Sequence, residues 1–416
     1  MIKSERFAST GTLVGRTASF VHAFGDYAWA IGLAIVALPL MAAITPTITL
    51  NDGLGGDGVF YAQMARAFRE QRPSMVEAPW LYRILPSALV AFMPFDVRSG
   101  FVVLDALSLV GSAAALVVLL HRYGITGWRL VLAIVWWLAL PLGMRTVLYY
   151  PVLTEALSFL LLLVLLIAAL DGRWTLFALA LVAAVLTREN LLMLVPFAWR
   201  ANLRLGIVRA TSLTALATLP AVAAFFLVRG EGWLGGHHSL QYIALILSNS
   251  DGHAWRLVLA TPLSLGLLFL IPLVFARRTF GFFGREMHWT YFVGLAFIIA
   301  AIGGFDFDRY LYVLSPLLLI LTFGVARELW SDPLRVAALT GLQLVAIRFA
   351  WPIGTMTPDY PEYPVGWVDL RELAVKAFVV AVVFATTVVL LGWWRIAGLA
   401  PRGGSGPSPN RYPHAR

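Results

Sequence analysis

Long apolar stretches recur along almost the whole chain, separated by short polar turns, and that recurrence admits few folds. A helix needs about 20 apolar residues to cross the hydrocarbon of a bilayer. No water is present there to satisfy open backbone groups, so spanning segments are helices or closed barrels. The candidate spans are 28–50, 100–120, 128–144, 151–170, 174–187, 190–199, 207–228, 257–276, 289–303, 310–326, 335–351 and 373–394. Apolar residues make up 60% of the chain and charged ones 13%, where a soluble domain carries roughly 25% charged residues. The reading is an all-α polytopic membrane protein.

The net charge of +9 raises nucleic acid as a partner. The arginines lie in short loops between apolar spans, and orientation in a membrane explains them better. Segments 174–187 and 190–199 meet at Thr187-Arg188-Glu189-Asn190 and read either as a hairpin or as one helix. The hairpin places Arg122, Arg129, Arg173, Arg200, Arg204, Arg209, Arg277, Arg278, Arg285, Arg327, Arg335 and Arg395 on the side of the N-terminus. The positive-inside rule then gives about twelve crossings with both termini cytoplasmic. Met1 to Tyr27 has no early apolar core followed by a small-residue cleavage site, so it reads as a cytoplasmic lead-in rather than a signal peptide. Residues 1–398 form one transmembrane domain, and the Gly-, Pro- and Ser-rich basic segment 399–416 is expected to be a disordered cytoplasmic tail. Cysteine is absent, which excludes a thiol nucleophile and Cys-ligated zinc.

The unusual residues then gather on the outer side, in the 51–99 loop and in five further turns and loops. The first loop opens NDGLGGDGVFYAQMARAFREQR. Asp52 and Asp57 sit in a glycine-rich bend, where the backbone turns tightly and approaches a ligand closely. Phe60, Met64 and Phe68 follow at helical spacing, and Tyr61 lies one turn beyond Asp57 on the same face. Two compatible roles are open to Asp57, a catalytic base and a helix N-cap. Farther along, Trp80 to Pro86 and the run SALVAFMPF are too short to span and read as interfacial helices on the outer leaflet.

Transfer onto a hydroxyl needs a base near that hydroxyl. A lipid-linked phosphate is already a good leaving group; it needs cations to accept its charge, and Arg suits phosphate through its planar fork. Arg83, Arg188 and Arg309 are the phosphate candidates, set against snorkelling interface arginines and, for Arg188, a local pair with Glu189. Glu155 is placed either to bond substrate hydroxyls or to favour its helix at the first turn. Asp306 and Asp308 have the spacing of a metal-binding pair, against a pairing of one with Arg309 and capping by the other. His237 and His238 fall in a Gly-rich loop with Trp233, read as a lid over a site or as a solvated loop.

These motifs resemble a family. GGDGVFYAQMA followed by PWLYRILPSAL, the turn LTREN and the segment FDFDRYLYVLSP look like the patterns of the C-superfamily of membrane glycosyltransferases, in its bacterial cell-surface glycopolymer members. The resemblance implies a sugar donor carried on polyprenyl phosphate, a glycan or lipid acceptor and a place in the bacterial inner membrane. It makes Asp57 the base, with Arg188 and Arg309 on the donor phosphate; Asp52, Tyr61, Arg83, Glu155, Glu189, His238 and Asp308 complete the substrate-binding candidates. No cofactor is expected; a divalent ion at Asp306 and Asp308 is the alternative that their spacing leaves open. The chain departs from the pattern in spacing its first-loop acids five apart, and it lacks the superfamily's C-terminal soluble domain.

The expected activity is an inverting glycosyl transfer at the outer face. Two rivals stand beside it: a transporter or flippase of lipid-linked sugars, and a glycan polymerase or ligase. A transporter would show ionisable residues at mid-membrane depth and helices broken near the midplane. Asp105 is the main charge inside a span.

Overall fold

The computed structural model describes residues 13–45, 47–72, 76, 80–229, 253–302, 307–349 and 370–396, and every regular element among them is helical. The N-terminal helix α1 (Leu13–Ile44) leads into the bend at 50–56. Helices α2 (Asp57–Arg69) and α3 (Ile84–Ala91) follow, and then α4 (Val97–Arg122). Next come α5 (Trp128–Ala139), α6 (Thr146–Tyr149), α7 (Glu155–Asp171), α8 (Trp174–Val185), α9 (Leu194–Ala201) and α10 (Ile207–Arg229). The second half holds α11 (His253–Leu265), α12 (Leu267–Val274), α13 (Ala276–Arg285), α14 (His288–Ile302), α15 (Phe307–Leu311), α16 (Ser315–Leu319), α17 (Pro333–Phe349) and α18 (Leu370–Ile396).

Among the described residues, four helical stretches are long and apolar enough to cross a membrane: 25–44, 97–122, 207–228 and 374–394. Two bent pairs, 128–149 and 257–274, raise the number to six. About twelve crossings are expected from hydropathy; beside the long stretches, the described residues hold shorter apolar helices at 174–185, 288–301, 309–325 and 333–347. Some expected spans are also interrupted. Pro141 opens a π-turn after α5, a 3-10 turn separates α8 from α9, and 3-10 and π segments interrupt 309–325. Hydropathy sums apolar content; it registers the polar turn at 187–190 but not the interruptions at 141–145 and 312–325.

The sharpest break lies at Gly266, whose φ of +55° turns the chain by 100° between α11 and α12. Buried Gln343 of α17 compensates for it. Its Oε1 accepts from Leu267 N at 2.6 Å, and its Nε2 donates to Leu265 O at 3.3 Å. A Cβ at position 266 would stand 2.5 Å from Gln343 Oε1, so only glycine permits this approach. A carboxamide with one acceptor and two donors suits a break that frees one N–H and one C=O.

Half of the most apolar window of α4 is buried, against 11% for the span in α1. α4 is central, packed on α1 and α7, while α1 shows Trp29, Ile35, Val36, Leu40 and Ile44 on its outside. Without a bilayer that surface would be costly; against lipid it is the ordinary exterior of a membrane helix.

The segment 174–201 doubles back. At one end, Asn202 Nδ2 donates to Ala169 O at 2.9 Å, beside Gly172. At the other, Leu186 O accepts from Leu85 N at 2.9 Å. Polar contacts therefore collect at two ends of the molecule. One end carries Asp26 with His121 and Gly127 N, Asp171 with Arg122 and Arg173, and Arg278 with Glu328. The opposite end carries the first loop and the turns at 145–154 and 186–190.

Candidate functional site

The bend that opens the first loop is built on left-handed backbone. Asn51 and Asp52 have φ of +53° and +57°, and Gly53 and Gly55 +82° and +70°. Asn51 Nδ2 donates to Gly55 O at 2.8 Å and closes the bend. Such conformations cost free energy in non-glycine residues and persist where the surroundings hold them. Here Gly53 lies under the Arg98 guanidinium and Gly55 under the Tyr150 ring, each closer than a Cβ allows.

Asp57 is the first residue of α2, with Gly56 at the N-cap position and no side-chain cap. The N-cap role open to Asp57 in the sequence is not how it sits. Tyr150 takes that role, its hydroxyl accepting from Gly58 N at 2.9 Å. The Asp57 carboxylate makes no hydrogen bond or ion pair with any described residue and is partly exposed. Its charge acts on the phenols of Tyr61 and Tyr150; burial raises both above the usual range, and Asp57 adds to the rise.

Glu155 is the hub beside it. It begins α7 and is 9% exposed. Its Oε1 accepts from Arg188 Nη1 at 2.8 Å and from Arg309 Nε at 2.8 Å, and Arg309 Nη2 donates to the same oxygen. Arg188 also lies over the Tyr310 ring, 5.3 Å from its centroid. The local Arg188–Glu189 pair considered from sequence does not form. Glu189 instead accepts from Arg83, Oε2 from Nε at 3.4 Å and Oε1 from Nη2 at 3.3 Å. Arg83 Nη1 donates to the Tyr61 hydroxyl at 3.1 Å. Burial opposes the charge on Arg83, yet Glu189 holds its pKa above the ordinary value. Tyr61 itself is 1% exposed, so it positions Arg83 from inside the helix packing.

Four buried polar atoms in this region have no hydrogen-bond partner among the described residues: Thr154 Oγ1, Glu155 Oε2, Arg188 Nε and Asn190 Oδ1. Buried polar groups are paired in the great majority of cases, and a cluster of exceptions calls for a reason.

Asp52 stands apart, exposed and lining a polar hollow of about 470 Å³ with Arg66, Arg69, Glu70, Asp96 and Arg98. The structure thus separates the two first-loop acids. Phe60 stacks on Trp80 with centroids 4.0 Å apart, tying α2 to the short 3-10 turn before α3. His237, His238, Trp233 and Asp306 lie outside the described residues, as does the side chain of Asp308. No group of three or more His, Asp or Glu able to hold a metal occurs among the described residues.

Tyr150 escaped the sequence reading as a site residue, although the pair Tyr149-Tyr150 ahead of Pro151 is visible there. Aromatic residues at a membrane edge ordinarily signal an interfacial belt, and that reading hides the cap. Comparison with protein-family models, with curated proteins and with solved structures finds no match.

Proposed function

We propose that this chain is an inverting membrane glycosyltransferase. It takes a sugar from polyprenyl phosphate and places it on a hydroxyl of a cell-envelope glycan or lipid, at the outer face of a bacterial inner membrane. In this reading the chain crosses about twelve times, some crossings as broken helices, with both termini cytoplasmic. The acceptor oxygen attacks the anomeric carbon while Asp57 takes its proton. The bond from that carbon to the phosphate oxygen breaks, and the lipid phosphate leaves with the electron pair. Arg188 and Arg309 stabilise the charge that develops there, with Arg83 behind them.

The observation that carries the reading is an Asp57 carboxylate with no hydrogen bond or ion pair among the described residues, whose charge acts on the same Tyr61 and Tyr150 phenols as that of Glu155, together with buried polar atoms of Thr154, Glu155, Arg188 and Asn190 that have no partner among those residues. Glu155 suits the base role less, because its Oε1 already accepts from two arginines. Transfer from a radiolabelled polyprenyl-phosphate sugar, in wild type and in Asp57→Asn, tests the proposal. Transfer falls at least about 100-fold in the variant while donor binding survives; equal rates would remove Asp57 from the mechanism.

A second reading, transport of a lipid-linked sugar, draws on the 100° break at Gly266 and on buried Asp105. The backbone groups at that break are satisfied by Gln343 rather than turned to a pathway, which favours transfer. Donor that is bound and moved but never consumed would reverse this preference.

A further inference from the structure

Asp105 belongs to none of the networks above. It lies two turns into α4, is 4% exposed, and makes no hydrogen bond or ion pair with any described residue. An isolated carboxyl group in apolar surroundings carries a desolvation cost that a partner normally offsets. Asp105 lines a cavity of about 390 Å³ whose walls include Leu38, Pro39, Ala42, Val102, Leu109 and Val147. Pro39, Ala42 and Val102 are exposed on the outside of the protein, so the groove opens sideways between α1 and α4, toward lipid.

Arg98 stands at the outer mouth of the groove with Ser99 and Thr47. Its guanidinium has no ion pair or hydrogen bond with a described residue. Positions 98 and 105 are seven apart, hence on one face and roughly 10 Å apart along the axis. Val147, Leu148 and Pro151, shortly before Glu155 in the chain, form a further part of the wall.

We infer that this groove binds a single-chain lipid alcohol, with Asp105 hydrogen-bonding its hydroxyl and the chain lying along Leu38 and Leu109. The volume suits one chain and falls at the low end of small-molecule sites, roughly 300–1,000 Å³. The buried carboxyl satisfies a hydroxyl with one hydrogen bond, whereas an anionic head would lose its hydration there, with Arg98 about two helical turns away. The binding of the alcohol does not rest on the function proposed above.

The test is photolabelling of the full chain in lipid nanodiscs by a dodecanol probe carrying a diazirine in its chain, with no sugar donor present. Label is expected on the segments 35–45 and 97–109. Asp105→Leu reduces it at least about tenfold, the worth of one buried hydrogen bond, whereas Asp105→Asn retains it. Ala42→Trp, on the exposed wall, blocks it without touching Asp105. Unlabelled dodecanol competes, and its methyl ether and dodecyl phosphate compete at least tenfold less. Equal labelling by a diazirine phosphatidylglycerol, or labelling indifferent to Asp105→Leu and Ala42→Trp, would make the groove ordinary lipid contact and overturn the inference. Labelling without any transfer activity would sink the enzyme reading and leave the site standing; transfer without labelling would do the reverse.

Discussion

Glu155 shows how much one buried carboxylate can organise. Arg188 and Arg309 come to it from positions 33 and 154 residues away, and both guanidinium groups are themselves buried. Removing one partner of such a group leaves uncompensated buried charge, at a cost of about 3–5 kcal/mol. Glu155→Gln is therefore expected to lower the unfolding midpoint in detergent markedly, with Glu155→Asp in between; a midpoint equal to wild type would mean that the arginines are satisfied without it. Tyr150 acts more locally. Tyr150→Phe keeps the ring that covers Gly55 and deletes the acceptor for Gly58 N. The loss is about 1 kcal/mol of stability, but it frays the first turn of α2, where Asp57 sits. The measured signature is a fall in kcat larger than that stability change accounts for.

At the scale of elements, the breaks matter as much as the helices. Gln343 bonds both sides of the turn at Gly266, so Gln343→Leu strands a buried N–H and a buried C=O at roughly 1–3 kcal/mol each. Thermal unfolding of Gln343→Leu beside Gln343→Glu checks this, since the carboxylate retains only the acceptor half. The sequence announced the helical character of these segments, because apolar runs in lipid have few other solutions. It announced the turn at 187–190 but not the break at Gly266. Gly266 is one of 35 glycines, and what distinguishes it is a side chain 77 positions farther on. The candidate site was legible to a similar degree. Asp57, Arg83, Glu155, Arg188, Glu189 and Arg309 stand out as charges at the ends of apolar runs, and all but Asp57 enter the ion-pair network. Their pairing was not legible, since it depends on how α3, α7, α15 and the turn after α8 pack. The local reading of Arg188 with Glu189 failed for that reason.

For the whole molecule, the segregation of polar contacts to two ends is the feature with the widest consequence. Charges inside hydrocarbon cost a few kcal/mol each unless paired or solvated, so they collect where helices emerge, and that much could be read from the chain. The absence of cysteine makes the orientation directly measurable. Arg72→Cys and Phe92→Cys, on the first loop, should react with an impermeant maleimide in intact cells. Thr126→Cys and Arg204→Cys, at the opposite end, should react only after permeabilisation, and reaction of all four from one side would refute the topology. The proposed reaction is a single displacement at the anomeric carbon, and the stereochemistry of its product distinguishes it from the alternatives. NMR of the glycoside formed from a donor of known anomeric configuration should show that configuration inverted. A product with configuration retained would require a covalent sugar–protein intermediate or another mechanism, and would contradict the assignment of Asp57 as base.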